Sequence, residues 1–346
     1  MKTEEELFTL TTPQCADSVE WCPVTGYYDV MAGGTYQLVD PKEGKPEERV
    51  GQVQLYKLDQ ASDGKVGLMK TGCLETDAVL DMKWCPGLLG EKPTLGVADA
   101  AGALTLYSLA EDGESLCEVE KHNVEGKSLA LSLSWDESGS TNDVAVSYSD
   151  GSLRVVDAAT FEQKHHVTGA HQLDGPIEAW IVLVDRHQPG LLYSGGDDCA
   201  LQCWDPRHSC AQPAFKFKRH DAGVCSAHCH PVTSHVIATG GYDDCVKIWD
   251  TRNRKTPLSE TEVGGGVWRL KWRPGDGGEL LAACMYNGVA VLKGEDPDMG
   301  EVRSRFDAHK SIAYGADWKR GIYDGGYLMA TCSFYDNKLC LWKHSC

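Results

Sequence analysis

The chain has 346 residues, of which 42% are hydrophobic and 24% charged, and its formal net charge at pH 7 is −18. This composition excludes a disordered or collagen-like protein and provides enough apolar residues for a large core. The negative charge repels a nucleic-acid backbone and favours a cationic or neutral partner, although acidity also simply promotes solubility. We therefore expect no nucleic-acid ligand.

Neither the apolar runs nor the cysteines indicate a membrane or secreted protein. No run approaches the roughly 18 apolar residues of a membrane span. The first ten residues, MKTEEELFTL, are acidic where a secretory signal is basic and then apolar. The 15 cysteines are an odd number in a long chain, which favours reduced thiols over a disulfide framework. We expect a cytoplasmic protein without membrane contact.

A short apolar strand element occurs seven times along the chain, and five copies contain Trp. In order, the copies are VEWCP (19–23), MKWCP (82–86), LSWDE (133–137), IVLVD (181–185), AHCHP (227–231), LKWRP (270–274) and ADWKR (316–320). A second strand element follows each copy, as VQLYKL (53–58), LTLYSL (104–109), LRVVDA (153–158), LQCWDP (201–206), VKIWDT (246–251), VAVLKG (289–294) and LCLWKH (339–344). Both alternate with period 2 and are bounded by turn residues, which predicts antiparallel strands. Seven units at a spacing of roughly 40 to 50 residues are typical of a propeller with four-stranded blades, and we predict one domain over residues 1–346.

Residues 191–207, LLYSGGDDCALQCWDPR, follow the same pattern without a gap as residues 236–252, VIATGGYDDCVKIWDTR. Each copy has a Trp-Asp pair, a turn Asp, a strand Ser or Thr and a His that opens the blade: His171, Ser194, Asp198 and Trp204, then His220, Thr239, Asp243 and Trp249. In WD-repeat propellers such residues form a buried hydrogen-bond network that fixes the blade. We therefore predict an all-β, seven-bladed WD-repeat β-propeller, closed by the N-terminal strand FTLTT (8–12) as the outer strand of blade seven.

Further local phrases occur from blade one to blade seven, and three of them, GGVWR (265–269), YGADW (314–318) and ATCSFYD (330–336), are not part of the general WD-repeat pattern. The phrases include ADSVEWCP (16–23), AGGTYQL (32–38), IEAWI (177–181), YSGGDD (193–198), KRHDAGVCS (218–226), ATGGYDD (238–244), GGVWRLKW (265–272), YGADW (314–318) and ATCSFYD (330–336). In these phrases the chain resembles the diphthine methyl ester hydrolases, WD-repeat proteins of the diphthamide pathway. The resemblance implies an esterase whose protein substrate is elongation factor 2. It would remove the methyl ester from over-methylated diphthine on the modified histidine of that factor, giving diphthine and methanol.

The fold alone favours a different function, a non-catalytic scaffold or adaptor that docks partner proteins, because propellers mostly bind. The usual hydrolase motifs are absent: YSGG has Leu192 where a Gly-x-Ser-x-Gly elbow needs Gly, and no His-Glu-x-x-His occurs. CSAHCH (225–230) contains four metal-ligand residues, but on a strand its cysteines face away from its histidines. We therefore predict no metal site and no cofactor, and we expect a monomer.

Propellers commonly bind partners at one mouth of the central channel, where the residue four before the anchoring aromatic of each innermost strand is exposed. Counting back in this register gives Asp17, Cys225, Trp268 and Tyr314, with Glu178 and Trp180 both open in blade four. Because diphthine carries a trimethylammonium group, we predict that the three aromatic residues and the two carboxylates form a cage for it.

His220 lies a few residues ahead of Cys225 in the turn that enters the blade. Since histidine transfers protons near neutral pH, we predict His220 as the general base, acting on water or on Cys225. The alternative is that His220 is only the structural histidine of its blade. The acidic insert DPKEGKPEERV (40–50) is predicted to be a solvated hairpin extension of blade one.

Overall fold

The computed structural model describes residues 2–40, 47–60, 66–123, 128–295 and 299–345. The regular elements of these ranges are β-strands that form seven sheets. This confirms the predicted all-β, seven-bladed propeller. None of the described ranges contains a helix long and apolar enough to cross a membrane.

The strands follow one another blade by blade. The chain starts with β1 (Lys2–Thr3) and β2 (Glu5–Thr11). Blade one contains β3 (Cys15–Trp21), β4 (Val30–Val39), β5 (Glu48–Gln60) and β6 (Val66–Asp77); blade two contains β7 (Val79–Leu89), β8 (Lys92–Asp99), β9 (Ala103–Leu109) and β10 (Leu116–Asn123). Blade three contains β11 (Ala130–Trp135), β12 (Asp143–Tyr148), β13 (Leu153–Asp157) and β14 (Gln163–Val167); blade four contains β15 (Ala179–Val184), β16 (Leu192–Gly196), β17 (Leu201–Trp204) and β18 (Phe215–Phe217). Blade five contains β19 (Val224–Cys229), β20 (Val236–Gly241), β21 (Cys245–Asp250) and β22 (Ser259–Glu262); blade six contains β23 (Arg269–Trp272), β24 (Glu279–Ala283), β25 (Val289–Lys293) and β26 (Val302–Phe306). Blade seven contains β27 (Ala313–Trp318), β28 (Gly326–Ser333) and β29 (Lys338–Ser345).

The N-terminal strands close the ring. β2 pairs antiparallel with β29, from Glu5 opposite Lys343 to Thr11 opposite Lys338, and so becomes the fourth strand of blade seven. The predicted closure is confirmed, and β2 begins three residues before the FTLTT stretch. β1 continues the closure by pairing in parallel with β26 of blade six. Both pairings cover sheet edges that would otherwise be open to another chain.

The hydrophobic core lies between the blades. Seven clusters of buried side chains occur in the described residues, and each joins two neighbouring blades. Four of the five tryptophans at the ends of the innermost strands also bond across these interfaces. Their indole N–H groups donate to a carbonyl of another blade's innermost strand: Trp84 to Glu20, Trp135 to Lys83, Trp272 to His228 and Trp318 to Lys271, at 2.9 to 3.1 Å. In blade five Cys229 takes the place of the aromatic residue, as predicted, and its thiol lies 4.0 Å from the Val184 carbonyl. No blade covers its own apolar faces, so each blade needs neighbours built from the same strand elements.

The acidic insert of blade one joins two long paired strands. Val39 at the end of β4 lies opposite Glu48 at the start of β5, which makes the flanking strands a hairpin. Residues 41–46 of the predicted insert lie outside the described residues.

Charged side chains of the innermost strands meet across the central channel. Arg269 of blade six pairs with Asp81 of blade two at 2.9 Å, and Lys271 of blade six pairs with Glu20 of blade one at 2.5 Å. Burial would raise the pKa of Asp81, but Arg269 and Lys83 outweigh it and hold the pKa below its usual range. Since each pair joins blades that are not neighbours, the pairs bridge the channel between its two mouths.

A buried histidine ties the N-terminal segment to blades six and seven. His344 Nδ1 lies 2.8 Å from Glu4 Oε1, and His344 Nε2 lies 2.9 Å from Glu279 Oε1. Burial alone would lower the pKa of His344, but hydrogen bonds to Glu279 and Glu4 outweigh it and raise the pKa to about 9. The imidazolium therefore holds Glu4 in place immediately before β2.

We expect this contact to make the stability of the closed ring depend on pH. Because folding raises the pKa of His344, its contribution to the free energy of unfolding is complete below the usual histidine pKa of 6.5 and is lost as the pH rises through about 9. At roughly 1.4 kcal/mol per tenfold change in proton affinity, the loss is about 3 kcal/mol. Denaturant unfolding near pH 6 and near pH 10 should show a larger difference for the wild type than for His344→Gln. Equal differences in the two proteins would contradict this.

Candidate active site at the channel mouth

β-Bulges shape one mouth of the central channel. In six of the seven innermost strands the pairing register skips one residue, and the skipped residues are Asp17, Leu80, Leu131, Trp180, Cys225 and Tyr314. In blade six Trp268 occupies the equivalent position directly before β23. A bulge leaves its residue without a ladder partner and redirects the side chain, which explains the four-residue register used in the sequence analysis. We call these seven positions the bulge ring.

The bulge ring decides between the two residues left open in blade four. Trp180 is the residue skipped in β15, so it belongs to the ring. Glu178 lies one residue before that strand and is half-buried.

Three aromatic side chains from blades four, five and six meet at this mouth. The ring centroids of Trp180 and Trp268 are 5.8 Å apart, and Tyr242 lies 6.3 Å from Trp180 and 6.2 Å from Trp268. The three rings are inclined to one another by 53° to 80°. We call Trp180, Tyr242 and Trp268 the aromatic triangle. Tyr314 stacks on Trp268 at 4.8 Å and covers one face of its indole.

The structure thus brings the three predicted aromatic residues together and adds a fourth that the sequence analysis missed. Tyr242, and not Tyr314, contacts both tryptophans. Tyr242 lies in the turn between β20 and β21, where the phrase GGYDD has Tyr and its near-copy SGGDD has Asp197. The replacement of Asp197 by Tyr242 between two otherwise matching Gly-Gly-x-Asp turns was the signal in the sequence.

Asp197 places a carboxylate beside the aromatic triangle. The indole N–H of Trp180 donates to Asp197 Oδ1 at 2.8 Å and fixes both side chains. A Cβ atom at position 223 would lie 2.4 Å from the same oxygen, so Gly223 is needed for the carboxylate to sit there. Burial raises the pKa of Tyr242, and the nearby carboxylates of Asp197 and Glu178 raise it further. The triangle therefore has negative charge on the side of blade four.

Asp17 of blade one is a second acidic group at this mouth and belongs to the bulge ring. Its side chain is buried, and its Oδ1 atom has no hydrogen-bond partner among the described residues. Burial raises the pKa of Asp17 to about 8; Arg269 opposes this rise and Asp81 adds to it. Asp17 is close enough to Tyr314 to raise the pKa of that phenol as well, although burial is the larger cause there.

His220 and Cys225 are both near this mouth but do not form a hydrogen-bonded pair. His220 Nδ1 lies 2.9 Å from Asp243 Oδ2, and His220 Nε2 lies 2.8 Å from Thr239 Oγ1, so both ring nitrogens are engaged in the blade's own network. The thiol of Cys225 donates to the Val267 carbonyl at 3.1 Å, and burial raises its pKa. The roles of base and nucleophile assigned to these residues stay predictions.

Comparison with known proteins identifies the family. A family model described as WD domain, G-beta repeat matches residues 211–250. Two curated proteins named diphthine methyltransferase, from Mus musculus and Homo sapiens, are each 37% identical to this chain over 90% of its length, and the match covers 69% and 74% of their own lengths. The chain belongs to the diphthine methyltransferase family. This confirms the resemblance found in the sequence, and the name of these relatives is that of an enzyme.

A solved structure supports the fold of this family member. One chain in the crystal structure of a mitotic checkpoint complex superposes with a TM-score of 0.72 at 19% identity, over 99% of this chain and 92% of that one. At this identity the similarity concerns the propeller alone.

The phrases that indicated the diphthine methyltransferase family contain the residues of the mouth. ADSVEWCP contains Asp17, IEAWI contains Trp180, KRHDAGVCS contains Cys225, GGVWRLKW contains Trp268 and YGADW contains Tyr314. The repeated strands build the propeller, whereas these unrepeated residues give one mouth its chemistry.

The opposite mouth offers a less suitable site for this family. A cavity of about 110 Å³ lies there, lined by the anchoring tryptophans and by charged groups that are mostly paired. Lys271 is held by Glu20 at 2.5 Å, and Arg186 by Glu137 at 2.7 Å. Within the described ranges no three His, Cys, Asp or Glu side chains are grouped to hold a metal ion.

The two WD-type histidines provide a matched test of the role of His220. His171 in blade four makes the same contacts, to Asp198 at 2.7 Å and to Ser194 at 2.8 Å. We expect His171→Ala and His220→Ala to lower the free energy of unfolding by a similar amount, about 1 to 3 kcal/mol, because each removes the two hydrogen bonds that the imidazole makes in a buried network, one to a hydroxyl and one to a carboxylate. Chemical denaturation measures this loss.

Activity then separates the structural role of His220 from a catalytic one. If His220 is the general base, only its alanine variant loses turnover at a temperature where both variants are folded. Equal residual activity in the two variants would show that His220 is a structural histidine.

Proposed function

We propose that the protein is a carboxylic ester hydrolase of diphthamide biosynthesis. It would remove the methyl ester from over-methylated diphthine on elongation factor 2, in the cytoplasm, and release diphthine and methanol. The observation that carries this proposal is the aromatic triangle with its carboxylate, in a member of the diphthine methyltransferase family. Hydrolysis of a methyl ester consumes only water.

The aromatic triangle suits the trimethylammonium group of diphthine. With centroids 5.8 to 6.3 Å apart, a cation seated about 3 Å above the triangle lies within ~5 Å of all three rings, inside the roughly 6 Å reach of a cation–π contact. Asp197 and Glu178 add negative charge beside the rings. Tyr314 supports Trp268 by stacking on it. The net charge of −18 also favours a cationic group over an anionic one.

The ester must then lie near groups that can move a proton, since attack by water requires a base and departure of methoxide requires an acid. Asp17, Cys225 and Tyr314 share the bulge ring with Trp180 and Trp268 of the triangle. Cys225 as nucleophile, with His220 as its base, remains one arrangement of this step. A Cys225→Ala variant that binds the substrate but does not turn it over would support that arrangement, and unchanged turnover would point to direct attack by water.

Turnover by the purified protein tests the proposed function. Elongation factor 2 carrying over-methylated diphthine is incubated with this protein and no other enzyme. We expect the modified histidine to lose the mass of one methylene group, as a methyl ester becomes an acid, with one methanol released for each residue converted. Binding without any mass change would contradict the esterase and leave the scaffold or adaptor function that the propeller fold favours.

A further inference from the structure

We propose that Asp17 is the proton-transfer group of the ester hydrolysis, accepting a proton from the attacking water and returning it to the departing methoxide. This assignment rests on the proposed function and names a catalytic residue for it. It places the acid–base chemistry in blade one, which is linked to the aromatic triangle through Tyr314 of blade seven, and competes with the assignment of that role to His220.

The position of Asp17 in the bulge ring supports a role in proton transfer. Asp17 is the bulge residue of β3, and Tyr314 is the bulge residue of β27 in the adjacent blade seven. Tyr314 in turn stacks on Trp268 of the triangle. A substrate whose ammonium group rests on the triangle therefore extends across Tyr314 toward Asp17. As a bulge residue, Asp17 has no ladder partner in β4, and its side chain is buried at this mouth.

Within the described part of the chain, the carboxyl oxygen Oδ1 of Asp17 is free to bind a substrate or water. Its side chain is 3% exposed, and Oδ1 has no hydrogen-bond partner among the described residues. Buried polar atoms are nearly always satisfied, so an orphan carboxyl oxygen beside a binding site calls for a functional explanation. A water or an ester oxygen at the mouth would supply the missing partner.

The charged and titratable groups that the structure describes around Asp17 leave it without a cation of its own. They are Arg269 of blade six, Asp81 of blade two, Tyr314 and Cys332 of blade seven, and Cys15 of its own strand. Arg269 is the cation that could hold Asp17 ionised, but it already pairs with Asp81 at 2.9 Å. Burial therefore prevails at Asp17 and raises its pKa to about 8, whereas the pKa of Asp81 is lowered. The pKa values of two buried aspartates near one arginine are thus shifted in opposite directions. Active sites use such opposite shifts to separate an acid–base group from a permanently charged one.

The step balances with water as the only co-reactant. Asp17 in its carboxylate form takes a proton from water as the oxygen adds to the ester carbonyl carbon. The tetrahedral intermediate then expels methoxide as its carbon–oxygen bond breaks, and the Asp17 carboxyl protonates that oxygen to give methanol. The new acid loses its proton to solvent, and Asp17 returns to its starting state.

The test compares Asp17→Asn with Asp174→Asn on the methylated factor. Asp174 is an exposed acid in the turn entering blade four and lies outside the bulge ring, so its variant should keep wild-type kinetics. Asp17→Asn should lower kcat about 10²- to 10⁴-fold, the usual contribution of a general acid–base group. The wild-type rate should rise with pH through about 8, where Asp17 loses its proton, and the variant should lack this inflection. Affinity for the diphthine product should be unchanged.

Each result decides between distinct conclusions. Wild-type turnover together with an undiminished rate and pH profile in Asp17→Asn overturns the role of Asp17 alone. No turnover by the wild type overturns the proposed function and this role with it. If Asp17→Asn is poorly folded, Asp17→Ser is measured in the same way, and a wild-type pH inflection in that variant also overturns the role.

Discussion

Replacing Asp81 by asparagine is expected to lower the free energy of unfolding by about 3 to 5 kcal/mol, although the two side chains have almost the same shape. Asp81 is fully buried and lies between two cations, 2.9 Å from Arg269 and 2.5 Å from Lys83. An amide removes the negative charge and leaves both cations without this carboxylate, and the side chain of Arg269 is only 7% exposed. A buried charge that loses its partner keeps its desolvation penalty, and this accounts for the size of the loss.

Denaturant unfolding measures this loss, and two further variants define its origin. Asp324→Asn removes an exposed partner of Lys343 and should leave the unfolding midpoint unchanged. Adding Arg269→Met to Asp81→Asn removes one of the two cations that have lost their carboxylate partner. It should recover part of the stability, which a double-mutant cycle would quantify. A loss below about 1 kcal/mol for Asp81→Asn would show that the channel is wet enough to solvate the two cations.

The sequence was sufficient for the propeller because its determinants are local. The tryptophan that ends most innermost strands bonds to a carbonyl of another blade, so a Trp at a fixed place in each repeat reports the blade interface directly. The four-residue register back from this anchor identified the bulge residues, because the bulge occurs at the same point of the innermost strands. The predicted exposure was wrong for Asp17 and Cys225, which are 3% and 4% exposed.

The contacts across the ring could not be predicted in this way. Arg269 and Asp81 belong to blades six and two, and nothing in either repeat indicates which blade its side chain will face. Tyr242 was missed for a related reason. It lies in the turn between the second and third strands of blade five, and its approach to Trp180 of blade four depends on how these neighbouring blades pack. Asp197 lies in the corresponding turn of blade four and contacts Trp180 within its own blade.

The WD-repeat pattern also explains why His220 was an ambiguous candidate. A histidine paired with a carboxylate is typical of both catalytic sites and this structural network. In the structure its two nitrogens contact Asp243 and Thr239, the same kinds of partner that His171 has in blade four. Asp17 differs from these histidines, because its Oδ1 atom has no hydrogen-bond partner among the described residues.

Removing the aromatic faces of the triangle is expected to have the second large effect. In Trp180→Leu and in Trp268→Leu, kcat/KM for the methylated factor should fall about tenfold, and in the double variant about a hundredfold, since one desolvated cation–π contact contributes roughly 1 to 2 kcal/mol. Trp180→Phe and Trp268→Phe keep a π face at each position and should retain most of the activity. Steady-state kinetics with the modified factor provides the measurement.

A charge-matched pair of small molecules shows whether the loss comes from the cation. Choline should inhibit the wild type, whereas 3,3-dimethylbutanol, which has the same shape without the charge, should inhibit much less, because only the cation is attracted by the ring faces. The leucine variants should lose this preference for choline in proportion to their loss of kcat/KM. If both compounds inhibit equally, or if the variants lose activity but keep the preference, the triangle serves to pack blades four, five and six together and the ammonium group binds elsewhere on the mouth.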